Sequence, residues 1–314
     1  MKVGVIGTGN IAGMFINTIQ DIDDYQLVAL ASTLRSKEKG KKICEKFNIS
    51  KLYTDNESLF NDEEVEVIYL GIPTHLHYEL AKKALNANKH VIVEKPFASN
   101  YKQVKELIDL AKSKNLFIIE AVMNRYFNNT FKIKEEIKKI GNIKLATFTY
   151  SQYSSRYDDF KKGNILPTFD KNCAGGALMD LNVYNINFAL MMFGEPKGIH
   201  YYANIENEID TSGILVMEYD GFKCLCIAAK DSIAPLYSSI QADEGTIVIP
   251  STTSLVESYY RVSVKETSRL SDDNYERLNY NEGFYMYPEL VDIIKTKKIR
   301  AKLDLTKWQI CLYK

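Results

Sequence analysis

The sequence carries no excess of charge of either sign. Lys plus Arg number 40 and Asp plus Glu number 40 among 314 residues. A nucleic-acid partner calls for a basic surplus, so none is expected. Long hydrophobic runs are also missing. No stretch approaches the roughly 20 apolar residues that a membrane helix needs, so no membrane partner is expected. Met1-Lys2 leads into a short apolar run broken by Gly4, Gly7 and Gly9, which is not a secretory leader. Cysteine is sparse: Cys44, Cys173, Cys224, Cys226 and Cys311 are scattered and odd in number. That excludes a disulfide framework and points to reduced thiols, with the cytoplasm as the expected location. Cys224 and Cys226 share one face of a strand-like run. No His or Cys pair at ligand spacing accompanies them, so they are expected to pack in a core, and no metal site is expected.

What is present is ordinary globular composition, 46% hydrophobic and 25% charged, in a chain long enough for two domains. Apolar periodicity predicts strands at 2–7, 26–32, 65–71 and 90–95, and a further one at 116–120. Helices are expected at 10–20, 37–47, 77–86 and 101–114. This alternation indicates a doubly wound parallel sheet over 1–121. From 122 to 314 the pattern changes. A lysine-rich helix is expected at 131–140 and others at 176–193 and 287–297. Strands are expected at 144–153, 198–204, 212–219, 224–229, 238–242, 246–249 and 258–266, with hairpin turns at Asp220-Gly221 and Glu244-Gly245. The fold class is therefore α/β, with a second α+β domain carrying a large, mostly antiparallel open sheet.

Gly7-Thr8-Gly9-Asn10-Ile11-Ala12 fits G-x-G-x-x-A between a strand and a helix. Gly7 permits a tight turn, Gly9 lets a diphosphate approach the helix N-terminus, and Ala12 allows close packing. The end of the second strand offers Ser32, Thr33, Leu34 and Arg35, with no carboxylate to take a ribose 2′-hydroxyl. Hydroxyls and an arginine there suit a 2′-phosphate, so NADP is expected over NAD. Pro73, Thr74 and His77 follow the third strand, where a loop flanks the dinucleotide. His75 reads as a solvated loop residue.

Lys89-His90-Val91-Ile92-Val93-Glu94-Lys95-Pro96 is a buried strand that Pro96 terminates. It delivers Glu94 and the Lys95 amine to the carboxyl edge of the sheet, where open α/β sheets hold ligands. Later, Gly175-Gly176-Ala177-Leu178-Met179-Asp180 leads to Tyr184. Asp180 and Tyr184 stand four apart, so on an α-helix they share a face. Either they form a buried hydrogen bond or they face a ligand together. Asn187 lies three further on and extends the same stripe.

G-T-G-N-I-A, I-P-T-H-L-H, E-K-P, E-A-V-M-N-R (120–125) and G-G-A-L-M-D-x-x-x-Y occur in order at suitable intervals. Together they resemble the glucose–fructose oxidoreductase / inositol dehydrogenase (Gfo/Idh/MocA) family over nearly the whole chain. The resemblance implies a Rossmann domain followed by an α/β domain whose open sheet serves as an oligomer interface, a homodimer or homotetramer. It implies NAD(P)-linked hydride transfer at a hydroxyl or carbonyl carbon of a sugar, polyol or related small molecule. By position, Lys95 would be the active-site lysine and Asp180 the substrate-orienting aspartate. Tyr184 stands where many members have histidine, as in the branch with dimeric dihydrodiol dehydrogenase, and would exchange the proton. Asn182 stands where glycine is common, and the chain ends soon after Leu305–Tyr313, where many members continue into a longer helix. Arg125, Tyr153, Arg156 and Asn172 are candidates for substrate binding. Two alternatives remain open: a non-catalytic, cofactor-binding sensor, and a reductase of a non-sugar carbonyl or imine.

Overall fold

Six short runs, mostly aliphatic, become the strands of one parallel sheet: β1 (Lys2–Ile6), β2 (Gln26–Ala31), β3 (Lys51–Tyr53), β4 (Val67–Leu70), β5 (His90–Glu94) and β6 (Ile118–Ala121). A computed structural model describes residues 1–264 and the strand 276–280. The strand order is β3-β2-β1-β4-β5-β6, so the chain winds outward from β1 in both directions. The switch of direction falls between β1 and β4, where doubly wound sheets open a crevice at their carboxyl ends. The crossovers are α1 (Asn10–Ile19), α2 (Lys37–Phe47), α3 (Asn56–Phe60), α4 (His77–Asn86) and α5 (Tyr101–Ser113). Val67 to Leu70 and Val91 to Val93 are buried throughout, as a strand covered on both faces must be. Ala81, Ala84 and Leu85 of α4 and Val104, Leu107 and Ile108 of α5 pack with Val91 and Val93 in one apolar cluster.

The described chain divides after Ala121, and a second unit begins at Val122. It contains α6 (Asn128–Glu136), α7 (Tyr157–Lys161) and α8 (Val183–Phe193). Its strands are β7 (Ile143–Ser151), β8 (Gly198–Glu206), β9 (Ile209–Tyr219), β10 (Phe222–Ala229), β11 (Ser238–Ala242), β12 (Gly245–Ile249), β13 (Ser258–Ser263) and β14 (Glu276–Tyr280). They form one open sheet in the order β14-β13-β12-β11-β7-β10-β9-β8. The β7–β10 pair is parallel and the rest are antiparallel. One face is apolar and buried, with Leu215, Met217, Cys224, Cys226, Ala146 and Phe148 in alternate positions. Phe148 meets Phe188 of α8 edge-on at 5.0 Å. Every residue of α8 from Val183 to Met192 is buried, so this helix is a core element rather than a surface one. Cys224 and Cys226 lie on the buried face as free thiols, Cys226 against Met217, which is the packing role expected of them.

The α/β class with a parallel first sheet and a mostly antiparallel second one is as the sequence predicted. Several elements differ in detail. β3 and α3 are short and lack a strong period, so sequence patterning passed over them. β9 starts at Ile209 rather than Ser212, because Asn207 and Glu208 form a two-residue turn in the left-handed region, with φ of 45° and 64°. The expected helix over 176–193 begins as a π-helical segment, Leu178–Asn182, before α8. The expected helix over 287–297 and the end of the strand over 258–266 lie outside the described residues. Among the described residues, no helix is long and apolar enough to cross a membrane.

Candidate active site

Gly7 ends β1 with φ at 120°, and a Cβ placed there would lie 2.3 Å from the Gly71 carbonyl oxygen. Torsion and space both demand glycine. Gly9 is different. It precedes α1 in an extended conformation with no side-chain cap on the helix, and an added Cβ would meet nothing within 4 Å. The first turn of α1, beginning at Asn10 and Ile11 after Thr8, therefore carries no side-chain cap and has room beside Gly9. No acidic side chain occupies that turn. This cradle fits a diphosphate, which the amides and the helix dipole would stabilise. Ala12 packs tightly: a Cβ on Gly71 would come within 2.9 Å of the Ala12 Cβ. The three positions of the motif thus do three distinct jobs.

At the end of β2, Ser32 donates its amide to the Tyr53 carbonyl, and its hydroxyl lies beneath α2 at Gly40. Among the described residues its hydroxyl has no hydrogen-bond partner, and it is buried rather than held out toward a 2′-phosphate as the sequence suggested. Thr33 and Ser36 cap each other's amides reciprocally across a short 3₁₀ turn. That turn holds Arg35 exposed on its outer side.

The loop after β4 contains Pro73 and Thr74, with His75 solvated as expected. His77 differs from expectation. It is 0% exposed, and its Nδ1 and Nε2 lie 2.9 Å from the carbonyl oxygens of Pro96 and Ile72. The ring ties the β4 loop to the β5 loop and is not presented to a ligand. Burial lowers its basicity, which the two carbonyls partly offset. On β5, Glu94 is 6% exposed and accepts a 2.5 Å hydrogen bond from the Tyr69 hydroxyl. Tyr69 stacks on Phe15 of α1 at 3.7 Å. Burial pushes the Glu94 carboxyl up to about 7, against the pull of Tyr69 and Lys95. Lys95 follows, half-buried at the sheet's carboxyl edge, before a cis peptide bond to Pro96. Glu120 of β6, also buried, accepts from the Phe97 amide at 3.0 Å and holds the next turn in place.

In the second unit, Gly176 has φ at 98°, and an added Cβ would collide with the Asp210 carboxylate at 1.9 Å. Glycine there lets Asp210 of β9 accept from the Leu178 amide at 2.7 Å and cap the π segment. Asp180 lies in that segment. Its Oδ2 accepts from the Thr168 hydroxyl at 2.7 Å and from the Lys230 ammonium at 2.9 Å. Tyr184 is buried in the first turn of α8, its ring centroid 5.8 Å from that of Tyr150. Its carbonyl accepts from the Asn124 amide at 2.8 Å. The π segment widens the turn, so α-helical spacing no longer sets how Asp180 and Tyr184 stand to each other. Asn187 binds the Val183 carbonyl of its own helix instead of extending a polar stripe.

The four substrate candidates fall into two groups. Tyr153 is exposed and tied to Asp158 and Lys161, while Arg156 and Asn172 are exposed beside short helical turns. Arg125 is 4% exposed, and among the described residues its Nε and Nη2 have no hydrogen-bond partner. A buried guanidinium in that condition calls for an acceptor. Lys230 and Thr168 were not singled out in the sequence. A signal for Lys230 was there: it follows the apolar run Cys224–Ala229 just as Lys95 follows Val91–Glu94. Among the described residues, no group of three or more His, Cys, Asp or Glu side chains is placed to hold a metal ion.

Residues 1–121 match the family described as "Oxidoreductase family, NAD-binding Rossmann fold", and residues 132–248 match the "GFO/IDH/MocA C-terminal domain". The chain is 33% identical over 306 residues to scyllo-inositol 2-dehydrogenase (NADP(+)) IolU of Bacillus subtilis (strain 168), covering 96% of this chain and 90% of that one. It is 30% identical over 296 residues to trans-1,2-dihydrobenzene-1,2-diol dehydrogenase of Xenopus laevis, covering 90% and 84% respectively. Among solved structures it is similar to KijD10, a 3-ketoreductase of Actinomadura kijaniata in complex with NADP and TDP-benzene. The TM-score is 0.81 at 17% identity, over 99% of this chain and 94% of that one, a likeness of fold.

The raised Glu94 carboxyl makes stability depend on pH. The folded state holds this proton more tightly than the unfolded chain, whose glutamate titrates at its usual 4.5. The stabilisation is therefore complete below about pH 4.5 and lost as pH rises through about 7. Urea denaturation of the ligand-free protein should show wild-type stability falling across that window relative to Glu94→Gln, by about 3 kcal/mol in full. Parallel curves for the two proteins would rule out a buried, protonatable Glu94.

Proposed function

Because the chain belongs to the Gfo/Idh/MocA oxidoreductase family, we propose that it is an NADP-dependent dehydrogenase or reductase. Its substrate would be the CH–OH or carbonyl carbon of a sugar, polyol or related small molecule. The observation that carries this reading is the carboxyl edge of the first sheet. There the uncapped α1 N-terminus, open above Gly9, and the Lys95 amine follow β1 and β5 at the same edge of one sheet, with the loop after β4 between them. Gly7, Thr8, Gly9, Asn10 and Ile11 would hold the diphosphate, with Pro73, Thr74 and Glu94 flanking it. Arg35, beside Thr33, would meet the 2′-phosphate, since the β2 end carries no carboxylate. When bound, the nicotinamide supplies or takes the hydride. Lys95 stabilises negative charge on the reacting oxygen. Tyr184 gives or takes the hydroxyl proton. Asp180 accepts from a substrate hydroxyl and so orients it. The supports for these roles are the motif positions and, for Asp180, a carboxylate held by two donors. The two relatives named above are both dehydrogenases, and one carries NADP(+) in its name.

Arg125 favours a second reading, in which the substrate also bears an anionic group. Its buried Nε and Nη2 lack an acceptor among the described residues, and a carboxylate would supply one. A substrate panel scored by NADPH turnover, with polyols and sugars beside hydroxy acids and keto acids, separates the two readings. Silence across the panel from a cofactor-bound protein would favour a sensor.

The open face of the second sheet bears Tyr202, 66% exposed, beside Ile214 and Ile227. We propose that this face joins copies of the chain into a homodimer or homotetramer, in a reducing, cytoplasmic setting that suits its free thiols.

Three outcomes follow. Lys95→Ala should lose at least about a hundredfold in kcat while NADP still binds, and retained turnover would sink the assignment. Arg35→Ala should weaken NADP at least about tenfold and leave NAD unchanged in fluorescence titrations. NAD binding as tight as NADP in the wild type would overturn the preference. Ile214→Arg should convert an oligomer to monomers in sedimentation, and a monomeric wild type would remove the proposed interface.

A further inference from the structure

Lys230 follows β10 and is 2% exposed. Its ammonium lies over the Phe169 ring at 4.4 Å and donates to three oxygens: the Thr168 carbonyl at 2.5 Å, the Thr168 hydroxyl, and Asp180 Oδ2 at 2.9 Å. The Thr168 hydroxyl donates in turn to that same Oδ2. Three N–H groups meet three acceptors, so the ammonium is fully satisfied in a dry setting. Such a cation is costly to bury and persists where a carboxylate and hydrogen bonds compensate it. The backbone on both sides is fixed as well. Lys230 donates its amide to Thr211 of β9, and its carbonyl accepts from Ser154, both at 2.8 Å.

We propose that Lys230 is a positioning residue for Asp180: with Thr168 it holds the aspartate ionised and fixes Oδ2, so that the carboxylate stands ready to accept from a substrate hydroxyl. This rests on the role given to Asp180 above. The consequence is a specificity device. A carboxylate compensated from inside the protein needs no charge on the substrate, which suits a neutral polyol or sugar at this aspartate. Without Lys230, Asp180 would be a partly buried carboxylate lacking that internal cation, and its proton affinity would rise.

A second carboxylate faces the ammonium: Asp210 of β9 feels the Lys230 charge and accepts from Tyr201 of β8. Tyr184, four residues on from Asp180, opens α8, with its ring against Tyr150 of β7. Asp210 is raised by burial and lowered by Tyr201, the Leu178 amide and the Lys230 charge, so Lys230 serves two carboxylates.

The test uses the NADP-bound, full-length protein with ¹³C-carboxyl-labelled aspartate. Asp180→Asn assigns the Asp180 resonance, and Asp210→Asn identifies its neighbour's. In Lys230→Met the Asp180 midpoint should rise by at least about one pH unit, a tenfold change in proton affinity. The acid limb of kcat/KM on the best panel substrate should rise with it, and Lys230→Arg should restore both. A folded Lys230→Met with an unchanged Asp180 midpoint overturns the proposal. If that variant does not fold, Thr168→Val takes its place: a raised midpoint supports the proposal and an unchanged one overturns it. Wild-type turnover by Asp180→Asn would instead remove the role given to Asp180, while the titration still reports whether Lys230 holds it ionised.

Discussion

Carboxylates placed where water is scarce must find donors, and much of this structure is arranged around four of them. Glu94 accepts from Tyr69, Glu120 from the Phe97 amide, Asp180 from Thr168 and Lys230, and Asp210 from Tyr201 and the Leu178 amide. Most of these bonds link segments well apart in sequence, and several fix a segment that carries a candidate functional residue. Glu94 and Glu120 hold the chain on either side of Lys95. Asp210 starts the π segment in which Asp180 lies. Leaving any one unpaired would cost more than its hydrogen bond returns, so the donors constrain the backbone as firmly as core packing does.

This explains what the sequence could disclose. Gly7, Gly9 and Ala12 were legible because three short-spaced positions at a strand–helix turn form one motif, even though the close contacts of Gly7 and Ala12 are made with Gly71 at the end of β4. Lys95 was legible because an aliphatic run ending at proline marks a strand's end. Ser32, His77 and Lys230 were not, because each is placed by packing or bonding against another segment. Ser32 turns under α2 at Gly40, His77 is taken up by two backbone carbonyls, and Lys230 meets a threonine 62 positions away. The residue types suggested ligand contacts at the first two. Tertiary contacts decided otherwise.

The two lysines illustrate the same point from opposite sides. Lys95 and Lys230 each follow an apolar strand, so local pattern treats them alike. Lys95 is half-buried at the carboxyl edge of a parallel sheet, in the region where doubly wound folds place ligands. Lys230 is buried against an aromatic ring, with three oxygen acceptors around its amine. A strand-end lysine is thus a candidate for chemistry or for support, and burial and place in the sheet, rather than local pattern, separate the two.

Asn182, at the position where the family pattern has glycine, has a physical reason to be there. Its amide donates to the Cys226 carbonyl of β10 at 3.0 Å, and Asn185 binds both the Asn182 side chain and the Ile227 carbonyl. Thr253 closes the chain by donating to Asn185 at 2.6 Å. The π segment is therefore fastened to β10, the strand whose end presents Lys230. A slip between helix and strand would separate Asp180 from its ammonium, and the buried amides oppose that slip at two successive carbonyls. Glycine would leave the Cys226 carbonyl without this donor and place the burden of register on apolar packing, which resists sliding less strongly than directed hydrogen bonds do. The asparagine thus belongs to the same device as Lys230, one residue setting the distance and the other using it.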